Sequence, residues 1–202
     1  VTWTVGFDLD MTLIDSRPGV SRAIDLVAAE FGLPLRGADL AEHLGPPLGM
    51  LLARFGTPED LVPAVITRYR ELYPSIVADI PAMPGAADAL AAVSARGGRV
   101  LVVTGKHEPH ARLHLDELGF QVDHLAGDLW STDKADALRT HGADIYVGDH
   151  VGDIHGALAA GALAVGVPTG PCTAGELRTA GAHTILPTLT AFPTWLTEYA
   201  AA

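Results

Sequence analysis

The chain has 202 residues, 49% hydrophobic and 18% charged, enough apolar material for one α/β domain or one domain with an insertion, and a balance that argues against disorder. A net charge of −11 disfavours nucleic acid and anionic membranes as partners, since both need clustered Lys and Arg. Cys172 is the only cysteine, which excludes an intrachain disulfide and points to a reducing compartment. No run of about 18 apolar residues spans a membrane, and a strand that begins at once leaves no room for a signal peptide, so the expectation is a cytoplasmic protein.

A short strand is expected from Thr2 to Phe7, followed by a helix through Val20–Phe31 that stops at Gly32 and Pro34. A helical turn at Ala38–Leu44, the rigid loop Gly45-Pro46-Pro47-Leu48-Gly49 and apolar Met50–Phe55 come next. Thr57-Pro58 reads as the start of a helix running to about Ile76. A helix over Ala86–Ser94 then leads to a strand over Arg99–Thr104. From there strands and helices alternate to the terminal helix, which predicts a Rossmann-like parallel sheet with helices on both faces. The first and second strands lie roughly ninety residues apart, against about thirty for a whole βαβ unit. Residues 16–82 are therefore expected to be an inserted helical cap, and residues 1–15 with 83–202 the core.

Four strand ends carry polar residues, where ligands sit in open parallel sheets. At the first, Asp8-Leu9-Asp10-Met11-Thr12 places two carboxylates on one side of an extended backbone. Asp8 can attack phosphorus beside a hard cation, Asp10 can carry a proton, and Thr12 offers a hydroxyl and an N–H to phosphoryl oxygens. The same string also makes solvated turns and helix caps. At the second, Thr104-Gly105-Lys106 offers a hydroxyl, close backbone approach and a cation, or else a helix cap. At the third, Lys134 opens a helix against the dipole preference, which makes sense if an anion lies beside it. Lys106 and Lys134 are the only lysines in an arginine-rich chain, so a compact ammonium is expected at both, with more weight on Lys134. At the fourth, Gly148-Asp149-His150-Val151-Gly152-Asp153 crosses into a helix. Asp149 suits a magnesium ion, which takes few protein carboxylates, and Asp153 an acceptor behind it.

Asp8-x-Asp10-x-Thr12, Thr104, Lys134 and Gly148-Asp149-x-x-x-Asp153, in that order, resemble the haloacid dehalogenase superfamily over essentially the whole chain. Asp15-Ser16 and the loop Gly45-Pro46-Pro47-Leu48 look like its phosphoglycolate-phosphatase branch. The resemblance implies a magnesium-dependent phosphatase in which Asp8 is nucleophile and metal ligand. Asp10 would be the acid and base, with a backbone carbonyl on the metal. Thr12, Thr104, Gly105 and Lys134 would bind substrate, Asp149 would ligate magnesium, and Asp153 would anchor it from behind. Met11 stands where the family commonly has glycine, and Lys134 lacks the usual proline nearby.

Asp10 favours phosphoryl chemistry over dehalogenation, and a cap without lysine disfavours Schiff-base phosphonate hydrolysis. A sugar phosphomutase, using Arg22, Arg54, Arg68 or Arg70, stays open beside a non-catalytic phospho-ligand binder. The partner implied is a small phosphorylated metabolite, with a homo-oligomer left open. His110 and His114, four apart, are expected as exposed helix histidines rather than metal ligands. Met50-Leu51-Leu52 and Val62–Ile66 are expected to pack the cap core.

Overall fold

The computed structural model describes residues 3–201; Thr2, where the first strand was expected to begin, lies outside them. Strands β1 (Thr4–Phe7), β2 (Arg99–Val103), β3 (His124–Ala126), β4 (Ile145–Gly148), β5 (Leu163–Gly166) and β6 (Thr184–Ile185) form one parallel sheet. Its order is β3-β2-β1-β4-β5-β6, a Rossmann-like arrangement. Every residue of β1 and β4 is buried, as expected of central parallel strands covered on both faces. Burying a side chain the size of Val5 or Phe7 stabilises the fold by about 1.5–3 kcal/mol. β1 pairs with β2 on one side and β4 on the other, so the order reverses beside β1. That switch point is where open α/β sheets bind ligands.

Between β1 and β2 lie helices α1 (Arg17–Phe31), α2 (Gly37–Ala41), α3 (Leu48–Arg54) and α4 (Val62–Leu72), then a 3₁₀ segment (Tyr73–Asp79) and α5 (Ala86–Ser94). α1 ends on Gly32 in the left-handed conformation, whose N–H bonds back to Ala28 and Ala29. The helix expected from Pro58 instead begins at Val62. Residues 58–61 form a turn closed by Leu61 N–H to Pro58 O (2.9 Å), and Pro63 occupies the first helical turn, where no N–H is needed. Pro74, lacking a donor, coincides with the change from α to 3₁₀.

The remaining helices are α6 (Glu108–Glu117), α7 (Lys134–Thr140), α8 (Val151–Ala160), α9 (Ala174–Thr179) and α10 (Phe192–Ala201). One apolar cluster runs unbroken from Phe7 and Val102 through Ala111 and Leu115 to Tyr73, Ile76, Leu51 and Val65. The inserted helices thus share their core with one face of the sheet. Among the described residues, no helix is long and apolar enough to cross a membrane.

His110 and His114 are part of that joint, contrary to the expectation of exposed histidines: they are 5% and 0% exposed. The His110 ring stacks on Tyr73 (centroids 4.3 Å apart) and its Nε2 lies 3.1 Å from Arg70 O. A hydrogen bond of 2.9 Å joins the Tyr73 hydroxyl and His114 Nε2. Burial pushes their pKa values down to about 4 and about 3, so both rings are neutral in the physiological range. Met50 also departs from expectation. It is 55% exposed on the opening of a cleft, whereas Leu51 and Leu52 beside it are buried.

Candidate active site

The C-terminal ends of β1 and β4 bring Asp8 and Asp149 together, and the first turn of α8 adds Asp153. One carboxylate oxygen from each lies within 4.8 Å of the others, and all three residues are buried. α8 sets the angle of Asp153. His150 caps the helix by accepting from Gly152 N–H (3.0 Å), while Asp153 Oδ2 accepts from His150 N–H (3.0 Å). The other Asp153 oxygen accepts from Lys134 Nζ at 2.6 Å.

Lys134, at the start of α7, is 1% exposed and also donates to Asp8 Oδ1 (2.8 Å) and Tyr146 Oη (2.9 Å). The anions expected beside this lysine are therefore Asp8 and Asp153. Burial works against its charge, but Asp153 and Asp8 outweigh it and hold its pKa well above the ordinary value. Tyr146 was not singled out from the sequence. Its ring is buried in β4 and its hydroxyl donates to Val103 O, so it props the lysine from below. A tyrosine inside an apolar strand gives no hint of that partner until β4 is placed two strands from β2.

Three carboxylates facing one ammonium leave two negative charges uncompensated when all are ionised. Burial, opposed by Lys134 and reinforced by Asp153, raises the Asp8 pKa to about 7. Burial with Asp153 and Asp8 raises that of Asp149 well above the carboxylate range. Asp149 Oδ1 accepts from Thr12 Oγ1 (2.9 Å), whereas Oδ2 is buried with no partner among the described residues. Gly170 borders that oxygen so closely that a Cβ there would collide with it. An orphaned buried carboxylate oxygen beside two further carboxylates, with surplus negative charge, fits a hard divalent cation with oxygen ligands.

Thr12 has both its donors engaged, the hydroxyl on Asp149 and the N–H on Leu9 O (3.2 Å), so it positions Asp149 here rather than facing a phosphate. Met11 takes the left-handed conformation (φ +61°), the one glycine adopts freely, and is 1% exposed. Thr104 is buried, its Oγ1 accepting Lys106 N–H at 3.2 Å. Gly105 lies under the loop: a Cβ there would come within 2.9 Å of Gly45 O.

Asp10, two residues on from Asp8, takes Lys106 Nζ on Oδ1 at 2.8 Å. Burial raises its pKa, but Lys106 more than offsets this and leaves the carboxyl below the ordinary range. The buried Ser16 hydroxyl lies beside the same carboxyl and adds to this lowering. Lys106 Nζ also sits 4.7 Å from the Tyr73 ring centroid, a cation–π contact tying the core loop to the inserted helices. Trp130 packs on His150 (centroids 4.9 Å apart). Asp10 and Lys106 form the floor of a cavity of about 440 Å³ between the sheet and the inserted helices. Of the four arginines considered, Arg70 borders it. Arg22 and Arg68 are held in exposed ion pairs with Asp79 and Glu30.

Comparison with known proteins places this geometry. The family described as haloacid dehalogenase-like hydrolase matches residues 5–158. A phosphoglycolate phosphatase of Rhodospirillum rubrum is 34% identical over 180 residues, covering 77% of this chain and 75% of that protein. One of Caulobacter vibrioides is 30% identical over 204 residues, covering 91% and 86%. A haloacid dehalogenase-like hydrolase structure from Streptococcus pneumoniae shares the fold, with a TM-score of 0.83, 24% identity and 98% of each chain covered. The chain belongs to the haloacid dehalogenase-like hydrolase family and is an enzyme of its phosphatase kind.

Proposed function

We propose that the chain is a magnesium-dependent phosphomonoesterase that works through an aspartyl-phosphate on Asp8, with the machinery of a phosphoglycolate phosphatase. The observation that carries this reading is the buried trio Asp8, Asp149 and Asp153, with one lysine and one orphaned oxygen. Asp8 and Asp149, with the Asp10 backbone carbonyl, would hold the ion, and Asp153 would support it from behind. Bound there, magnesium would neutralise and orient the phosphoryl oxygens.

Asp8, aimed by Lys134 Nζ, supplies the oxygen that attacks phosphorus as the ester P–O bond breaks. Thr104, Gly105 and Lys134 line the path of the transferred group. Asp10 gives its proton to the departing alkoxide, then takes one from the water that cleaves the aspartyl-phosphate and regenerates Asp8. Its hold by Lys106 keeps Asp10 ionised for the second task. A phosphate dianion arriving alongside raises the carboxyl's proton affinity for the first. Residues 16–82 act as a cap that screens the reacting atoms from bulk water. The single cysteine supports a cytoplasmic setting.

Phosphate release from small phosphomonoesters, with magnesium or EDTA and beside Asp8→Asn, tests the reading. Release that needs the metal and falls by at least a thousandfold in the variant is expected. Release that persists in folded Asp8→Asn would remove Asp8 as nucleophile.

A further inference from the structure

The cavity above Asp10 is of a different character from the phosphate end. Its wall is built from Leu40, Leu44, Pro47, Met50, Ile66 and Tyr69, contributed by the inserted helices and the Gly45–Gly49 loop. The basic side chains that reach it lie beside carboxylates. Lys106 bonds Asp10 at 2.8 Å, and Arg70 at the rim faces Asp128 at 3.5 Å. His107 meets the same Asp128 at 3.2 Å. Among the described residues, the one buried cation on this wall is held by Asp10, so a leaving group ending in a carboxylate meets only the half-exposed Arg70 at the rim and brings a further negative charge beside Asp10 and Asp128. A hydroxyl-rich group finds mainly hydrocarbon, where polar groups lose water without replacement. At about 440 Å³ the space is in the range of pockets that enclose a small organic ligand, and a two-carbon group would fill little of it.

We infer that the preferred substrate is a phosphomonoester whose alcohol carries an uncharged apolar body, branched-alkyl or aryl, lodged between the Gly45–Gly49 loop and α4. The inference rests on the phosphatase reading above and departs from the two-carbon carboxylate ester named by its relatives. The chemistry is unchanged: the ester P–O bond breaks, Asp8 takes the phosphoryl group, and the alcohol leaves with the Asp10 proton before water releases phosphate.

The test compares kcat/KM for ethyl, 3-methylbutyl and 2-phenylethyl phosphates, phosphoglycolate and glucose 6-phosphate, all esters of primary alcohols. Each buried methylene is worth about fourfold. The two apolar esters are therefore expected at least tenfold above ethyl phosphate, with phosphoglycolate no better than ethyl phosphate. Relative performance of the alkyl and aryl arms assigns the shape of the body. Met50→Arg places a cation at the opening on a side chain that is 55% exposed, outside the packed core. It is expected to lower the 2-phenylethyl to phosphoglycolate ratio at least fivefold. Hydrolysis of ethyl phosphate with a preference for phosphoglycolate or the sugar phosphate overturns the inference and leaves the phosphatase intact, as does a flat series within threefold. An unmoved ratio in folded Met50→Arg also overturns it. No hydrolysis of any ester removes both readings.

Discussion

At the sheet end of the cleft, three carboxylates and an ammonium are withdrawn from water together. Under the inserted helices the wall is aliphatic and aromatic, with its charges matched at the edges. The first arrangement opposes folding, because desolvating ions costs several kcal/mol each and only good geometry recovers it. The second favours folding, because it extends the apolar cluster. The polar end is thus held at a cost in stability that the proposed cation would offset, while the apolar end contributes stability and, on the inference above, selects what reacts.

Lys134→Ala breaks the comparison most severely. It leaves Asp8 and Asp153 facing each other without their ammonium, and an unmatched buried charge costs about 3–5 kcal/mol. Chemical denaturation should show that loss, with partial recovery on adding magnesium.

The next test is pH. The Asp8 carboxyl has a folded-state pKa of about 7 against an ordinary 3.8. The folded state therefore keeps its proton longer than the unfolded chain. That stabilisation is complete below about pH 4 and is lost as pH rises to 7. His110 and His114, kept neutral in the fold, make stability rise over the same window, so the Asp8 contribution is read against Asp8→Asn: in metal-stripped protein the parent's melting temperature should fall relative to the variant's by on the order of 10 °C. Magnesium, which favours the ionised form, should flatten the slope. A metal-stripped parent whose melting temperature rises relative to that of Asp8→Asn over the window would contradict the strained polar end.

Tyr73→Phe probes the apolar side with the smallest effect. It removes the hydroxyl bonded to His114 while keeping the ring stacked on His110, at a cost of about 1–2 kcal/mol in thermal unfolding. Phosphate release should stay within about threefold of the parent, since Tyr73 meets the site through Lys106 by its ring.

Legibility from sequence followed the same division. The strand ends were readable because Asp8, Thr104 and Asp149 each follow an apolar run, and sheet topology brings such ends together. The alternating helices and strands, and helix α5 to its termini, were readable from punctuation by glycine and proline. The Tyr146–Val103 and Thr12–Asp149 bonds were not, because their partners lie on strands and loops distant in sequence. His110 and His114 were misjudged for a related reason. A helix with polar residues all round reads as exposed, and only the arrival of Tyr73 from the insertion covers that face. Pro58 resembled a helix start as well as Pro63 did, and local propensity does not separate the two.

The unbroken cluster from Phe7 through Leu115 to Tyr73 and Val65 has a thermodynamic corollary. Two bodies with separate interiors melt in two steps, whereas bodies that own one interior in common lose it together. Calorimetry of this chain should therefore trace a single endotherm. Amides in α1 and those in β1 should exchange with solvent through the same global opening, the helices never coming loose while the sheet stands.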